Sequence, residues 1–228
     1  MQHVKIKSIQ RITNPSKQYD ITVEDNSNYF ANGILIHNCN GRFTYRDGRL
    51  WVGSRTRIKA PYQGSDGVER NLWWKVAKDL RLEEKFALLP GDDTRALNTR
   101  STVVLYGEVY GQVQDLRYGI DKGATLRVFD TYSVTADRYN NWDGTLSICK
   151  TMGLETVPEL YRGPWKPELE EMRNGPSVLY PGHIREGFVV KPVQERHVQF
   201  VPGNRHAFIG RVIFKAVGED YKTRKKKG

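Results

Sequence analysis

Cysteine is almost missing from this sequence. Only Cys39 and Cys149 occur in 228 residues, which rules out a disulfide framework and the paired CxxC pattern of a zinc site. No run of about 18 apolar residues is available to span a bilayer, and Met1-Gln2-His3-Val4 does not begin a secretory signal. A cytoplasmic location is therefore expected, where reducing conditions keep both thiols free. There is also no internal repeat and no long low-complexity linker.

What the chain has in excess is positive charge, a formal +10 at neutral pH. That balance favours polyanionic partners such as nucleic acid or nucleotide phosphates. Its length suits one ordinary domain and a small module, and its aliphatic and aromatic content suffices for a packed core. Cys149, within the apolar alternation Leu146-Ser147-Ile148-Cys149, is expected to be buried and structural.

Apolar periodicity divides the chain near residue 38. Tyr19, Ile21 and Val23 alternate with Asp20, Thr22 and Glu24, the period of a half-buried strand, and Asn32-Gly33 marks a turn before Ile34-Leu35-Ile36. So short a β segment cannot bury a core alone. Beyond Cys39 the pattern predicts a hairpin over 42–52 turning at Asp47-Gly48, and a helix over 69–80 with Leu72, Trp73, Val76 and Leu80 on one stripe. Strands are expected at 102–109, 126–133, 187–190 and 208–216, with a proline-rich surface excursion over 158–181 holding a short helix near 168–173. The last residues, Tyr221 to Gly228, form a basic tail that either binds phosphate in a salt-dependent way or is simply solvated. The order of elements is α+β rather than alternating βαβ.

His37-Asn38-Cys39 carries specific chemistry. Asn38 can attack its own carbonyl to give a succinimide, His37 can assist the proton transfers, and Cys39 supplies a thiolate that accepts an acyl group. With the preceding β segment, the triplet resembles the C-terminal blocks of inteins. The resemblance implies that Asp20 helps position the splice junction; Ser27 stands where many members have His. An N-terminal nucleophile and a Thr-x-x-His block are not found in residues 1–38. The expectation is therefore the C-terminal half of a split intein, a small all-β piece acting with an N-terminal half from another precursor; a contiguous intein cut short would read the same. Residues 1–38 hold four Lys/Arg (Lys5, Lys7, Arg11, Lys17) against three acids (Asp20, Glu24, Asp25), so association would rest on edge strands and apolar burial more than on charge.

Residues 39–228 carry a second set of motifs: Cys39-Asn40-Gly41-Arg42-Phe43, Gly53-Ser54-Arg55, Leu105-Tyr106-Gly107-Glu108-Val109-Tyr110-Gly111, Arg127-Val128-Phe129-Asp130, Arg185-Glu186-Gly187-Phe188-Val189-Val190-Lys191 and Val212-Ile213-Phe214-Lys215-Ala216-Val217. In this order they resemble the nucleotidyltransferase domain of phage-type ATP-dependent RNA ligases, antiparallel sheets flanked by helices. Such enzymes use ATP and Mg²⁺ or Mn²⁺ to store AMP on a lysine and join 5′-phosphate to 3′-hydroxyl RNA ends. The resemblance implies nucleotide-binding roles for Asn40, Arg55, Glu108, Phe129, Lys191 and Lys215, with Phe129 stacking on adenine and Glu186 supporting the metal. The family's first motif, K-x-x-G, would lie just upstream of Cys39 on the partner precursor, so the ligase is expected to be inactive until splicing supplies that lysine.

Each motif has a structural alternative: a solvated hairpin arginine for Arg55, a strand acid for Glu108, a core aromatic for Phe129. The second lysine usual in the last motif is replaced by Val217 if Lys215 is the first. Since the chain stops soon after that motif, a compact catalytic core is expected. Two other functions stay open, a basic nucleic-acid-binding domain with a decayed ligase site and a DNA ligase or capping-type nucleotidyltransferase.

Overall fold

The computed structural model describes residues 40–46, 48–54, 57–89, 102–112, 116–197 and 211–224, together with the backbone of 30–31, 34–35, 198–200 and 208–210. The chain divides into two units, 1–37 and 38–228. In the first, β1 (Phe30–Ala31) and β2 (Ile34–Leu35) pair antiparallel; the turn expected at Asn32-Gly33 lies outside the described residues. The strand expected over 19–23 lies outside the described residues, as do Asp20, Ser27, His37, Asn38 and Cys39.

The second unit is built on a five-stranded antiparallel sheet in the order β4-β3-β5-β6-β7. These strands are β3 (Asn40–Arg46), β4 (Arg49–Ser54), β5 (Val103–Gly111), β6 (Ala124–Ser133) and β7 (Arg138–Tyr139). The expected hairpin is therefore present. Strand alternation sends Phe43, Leu50, Val52, Val103, Leu105, Val109, Leu126 and Val128 to one buried face.

Helices α1 (Leu72–Asp79), α2 (Leu82–Phe86) and α3 (Trp142–Met152) contribute to the core with Val76, Ala77, Leu82, Phe86, Cys149 and Met152. In α1 the expected stripe packs as read, and Asn71 caps the helix by accepting from the Trp74 amide. Cys149 is buried as expected but in a helix: Trp142, Thr145, Cys149 and Met152 are the buried positions of α3, a spacing of three and four that the Leu-x-Ile-x alternation hides. The expected short helix is a 3₁₀ turn over Pro167–Arg173.

Two further antiparallel pairs follow. Strand β8 (Gly187–Val190) pairs with β11 (Phe214–Val217), and β9 (His197–Phe200) with β10 (Phe208–Arg211). The single strand expected over 208–216 is thus two strands with different partners, broken at Val212 and Ile213. A short helix α4 (Glu219–Thr223) follows. No helix among the described residues is long and apolar enough to cross a membrane.

Candidate active site

The sheet face opposite the helical core carries the motif residues. Because Gly41, Phe43, Leu105 and Gly107 are buried on the core side, alternation places Asn40 and Arg42 with Tyr106 and Glu108 on the other face. Asn40 lies directly opposite Glu108 in the β3–β5 register, and Arg42 opposite Tyr106. Asn40 is tied down from helix α1, where the Trp73 indole N–H donates to the Asn40 carbonyl at 3.2 Å. The neighbouring Trp74 indole donates to the Lys59 carbonyl at 2.6 Å, and the Lys59 ammonium lies 4.8 Å from the Trp73 ring centroid. Two adjacent tryptophans thus fix both the start of β3 and the loop before α1.

Phe129 is the extra residue of a β-bulge. Opposite β5 the register slips between Tyr106↔Asp130 and Gly107↔Val128, leaving Phe129 without a partner. The slip changes which side chains face the core, so that Val128 and Thr131 are both buried there while Asp130 shares the site face with Tyr106. Gly107 allows the close approach at this point, since a Cβ there would lie 2.5 Å from Leu126 Cδ1 and 2.7 Å from the Arg127 carbonyl.

Lys191, just past β8, reaches this bulge. Its ammonium donates to the Phe129 carbonyl and to Asp130 Oδ1, both at 2.8 Å, and lies 4.4 Å from the centroid of the Trp142 ring. Asp130, only 3% exposed, also accepts from Arg211 at 2.8 and 3.2 Å. Arg211 in turn bonds Glu195 at 2.5 and 2.8 Å and stacks 3.6 Å from the Tyr139 ring centroid. Burial works against the Arg211 charge, but the hydrogen bonds from Glu195 and Asp130 prevail and raise its pKa above the usual arginine range.

Lys215 and Glu186 form the second charged pair, at 2.5 Å across the β8–β11 pair. Gly187 makes this pairing possible: its φ is +147°, and a Cβ would fall 2.0 Å from the Ala216 carbonyl. Tyr118 has its phenol pKa raised by burial, with the Glu186 carboxylate adding to the effect and Glu108 contributing further. Both motif carboxylates therefore act on one tyrosine. Among the described residues no group of three or more His, Cys, Asp or Glu side chains is assembled to hold a metal ion.

The profile of the RNA ligase family matches residues 36–217. The chain belongs to the RNA ligase family. Solved structures of Naegleria gruberi RNA ligase share the fold: a lysine-to-alanine mutant with ATP and Mn at 19% identity and a TM-score of 0.58, an arginine-to-alanine mutant with ATP and Mn at 20% and 0.58, and the enzyme with pyrophosphate at 19% and 0.56. Each comparison covers 80% of this chain and 47% of the other, so the chain spans about half the length of the solved structures it matches. No curated protein matches the chain.

Within this RNA ligase fold, Asn40 and Glu108 share one sheet face, Lys191 reaches the Phe129 carbonyl, and Glu186 pairs with Lys215 on the β8–β11 pair; Arg55 lies outside the described residues. Sequence reading missed Asp130, Glu195, Arg211, Trp142 and Tyr139. Asp130 had a signal, since it directly follows Phe129 within the motif. The others come from separate loops and strands and had none.

Proposed function

We propose that residues 39–228 are the catalytic part of an ATP-dependent RNA ligase, and that residues 1–38 are the C-terminal part of an intein. The N-terminal intein part, carried on a second polypeptide, would bring the segment with the nucleophilic lysine and join it to Cys39. The observation that carries this reading is the pairing of Asn40 with Glu108. Asn40, the residue that follows Cys39 in the sequence, lies on the motif face, near which a lysine of K-x-x-G would be needed.

The charges of that face suit phosphoryl chemistry. Lysine attack on the α-phosphate of ATP releases pyrophosphate and leaves a lysine–AMP phosphoramidate. A 5′-phosphate of RNA then takes the AMP, and the 3′-hydroxyl of the neighbouring end displaces AMP to close the strand. Lys191 and Lys215 would offset the developing phosphate charge, Phe129 would stack on adenine, and Glu108 would accept from the nucleoside. Glu186, a single carboxylate held by Lys215, fits a divalent cation that takes its remaining ligands from phosphate oxygens and water. Such a cation would neutralise phosphate charge.

The test compares the 228-residue chain with the spliced product, each given radiolabelled ATP and metal. The product is expected to form a stoichiometric, acid-labile lysine adduct and to seal nicked RNA, while the unspliced chain forms none. An adduct on any lysine of the unspliced chain would overturn the claim that the nucleophile comes from elsewhere.

A further inference from the structure

The motif face of the sheet continues past the candidate site onto β4, its edge strand. Trp51 lies opposite Thr44, and Arg49 opposite Arg46. Since Leu50 and Val52 are buried in the core, Arg49 and Trp51 share the face that carries Asn40, Arg42 and Glu108. Trp51 is 40% exposed, and the Arg49 guanidinium lies 4.9 Å from its ring centroid. Across residues 40–54 three arginines (Arg42, Arg46, Arg49) stand against one acid, Asp47.

An exposed indole whose orientation is held by an arginine is a stacking platform with phosphate-binding charge beside it. Strand spacing and rise put Trp51 about 15 Å from Glu108 along the same surface. That is a reach of a few nucleotides from where RNA ends would react.

We propose that Trp51 and Arg49 form an RNA-binding surface which takes an unpaired nucleotide of the substrate strand, with the base on Trp51 and the adjoining phosphate on Arg49. This inference rests on the RNA ligase reading. RNA is favoured over a protein partner because the surface pairs one aromatic ring with a local excess of cations, which suits a chain that repeats base and phosphate. Stacking is tolerant of base identity, so little sequence preference is expected here.

The experiment measures binding of the full chain to two fluorescent probes of about a dozen units, an oligouridylate and an abasic oligomer with the same phosphates. Trp51→Ala is expected to weaken oligouridylate binding about tenfold and to leave the abasic probe unchanged, while Trp51→Phe retains most of the affinity. Arg49→Ala is expected to weaken both probes and to lower the salt slope by about one. Wild-type affinity of Trp51→Ala for oligouridylate, or equal loss for both probes, overturns the proposal; the first outcome is also the one a protein occupant of this surface would give. Unchanged thermal melting of Trp51→Ala secures the comparison. Adenylylation of the spliced product is scored separately: its absence alongside the expected Trp51 effect refutes the ligase reading and leaves the surface standing, whereas normal adenylylation with no Trp51 effect refutes only the surface.

Discussion

Lys191 donates to Oδ1 of Asp130 at 2.8 Å although 61 positions separate them in sequence. The Asp130 side chain is only 4% exposed and accepts from Arg211 as well, so one carboxylate balances two cations that arrive from different strand pairs. Removing a buried partner leaves uncompensated charge, which costs about 3–5 kcal/mol. Asp130→Ala is therefore expected to lower the urea midpoint strongly, with Asp130→Asn intermediate because it retains an acceptor. A midpoint like that of the wild type would show that neither cation depends on Asp130.

Gly187→Ala tests the backbone that carries Glu186. Its φ of +147° disfavours any side chain, and the new Cβ would meet the Ala216 carbonyl at 2.0 Å. Strain of this kind costs about 1–3 kcal/mol, and separation of β8 from β11 would also disturb the Lys215–Glu186 pair. Denaturation of the variant should reveal the stability loss, and the spliced enzyme should lose adenylylation with it. Retention of both would mean that the strands part without consequence.

Glu186→Gln separates catalysis from binding. Glu186 is 36% exposed at its side chain, so the substitution should be folded, and loss of one preorganised charge is expected to slow adenylylation by about 10²-fold or more. RNA affinity should stay as it was. The alternative of a nucleic-acid-binding domain with a decayed site predicts the same affinity but no ligation by the spliced wild-type protein, and nick sealing on matched RNA and DNA duplexes would then separate an RNA ligase from a DNA ligase.

Alkaline pH should destabilise the fold in two steps. Burial pushes the Cys149 thiol up from 9.0 to about 11, and burial, with Tyr139 adding, pushes the Tyr106 phenol up from 10.0 to about 12. In both groups the fold favours the neutral form, so the stabilisation is complete below the unfolded pKa and is lost as pH rises to the folded one. Urea midpoints should fall between about pH 9 and 11 for Cys149 and on to about 12 for Tyr106, and Cys149→Ala should remove the first step. Iodoacetamide under native conditions at neutral pH should leave Cys149 unlabelled.

Local periodicity made much of this fold legible. The 42–52 hairpin, helix α1 and strand β8 could be read because each expresses one period over enough residues, and the motifs around Asn40, Glu108, Phe129, Glu186 and Lys191 could be read from their resemblance, in order, to those of the ligase family. Helix α3 was obscured because its partly buried Leu146 and Ile148 alternate while the core contacts fall at Thr145, Cys149 and Met152. The split of 208–216 into β10 and β11 depends on which partners are available, and Val212 and Ile213 look like strand residues. The Asp130–Arg211–Glu195 network spans up to 81 positions, and no local pattern encodes a contact of that range.

The proposed splice junction can be tested by the chemistry of its ends. Cyclisation of Asn38 would break the bond to Cys39, free the Cys39 amine and leave residues 1–38 with a C-terminal succinimide, one water lighter than the hydrolysed peptide. Mass spectrometry of protein from the native source should find that peptide together with residues 39–228 joined to a new upstream segment. Asn38→Ala removes the amide nucleophile, so in the same host a branched species holding both polypeptides should accumulate at Cys39 and the released peptide should vanish. Cys39→Ala removes the acyl acceptor and should prevent the branch altogether. If Asn38→Ala still yields residues 39–228 freed of residues 1–38 and joined to the upstream segment by an amide bond, the bond is made by another route and the intein reading fails, while the active-site reading is left to stand or fall on the lysine adduct.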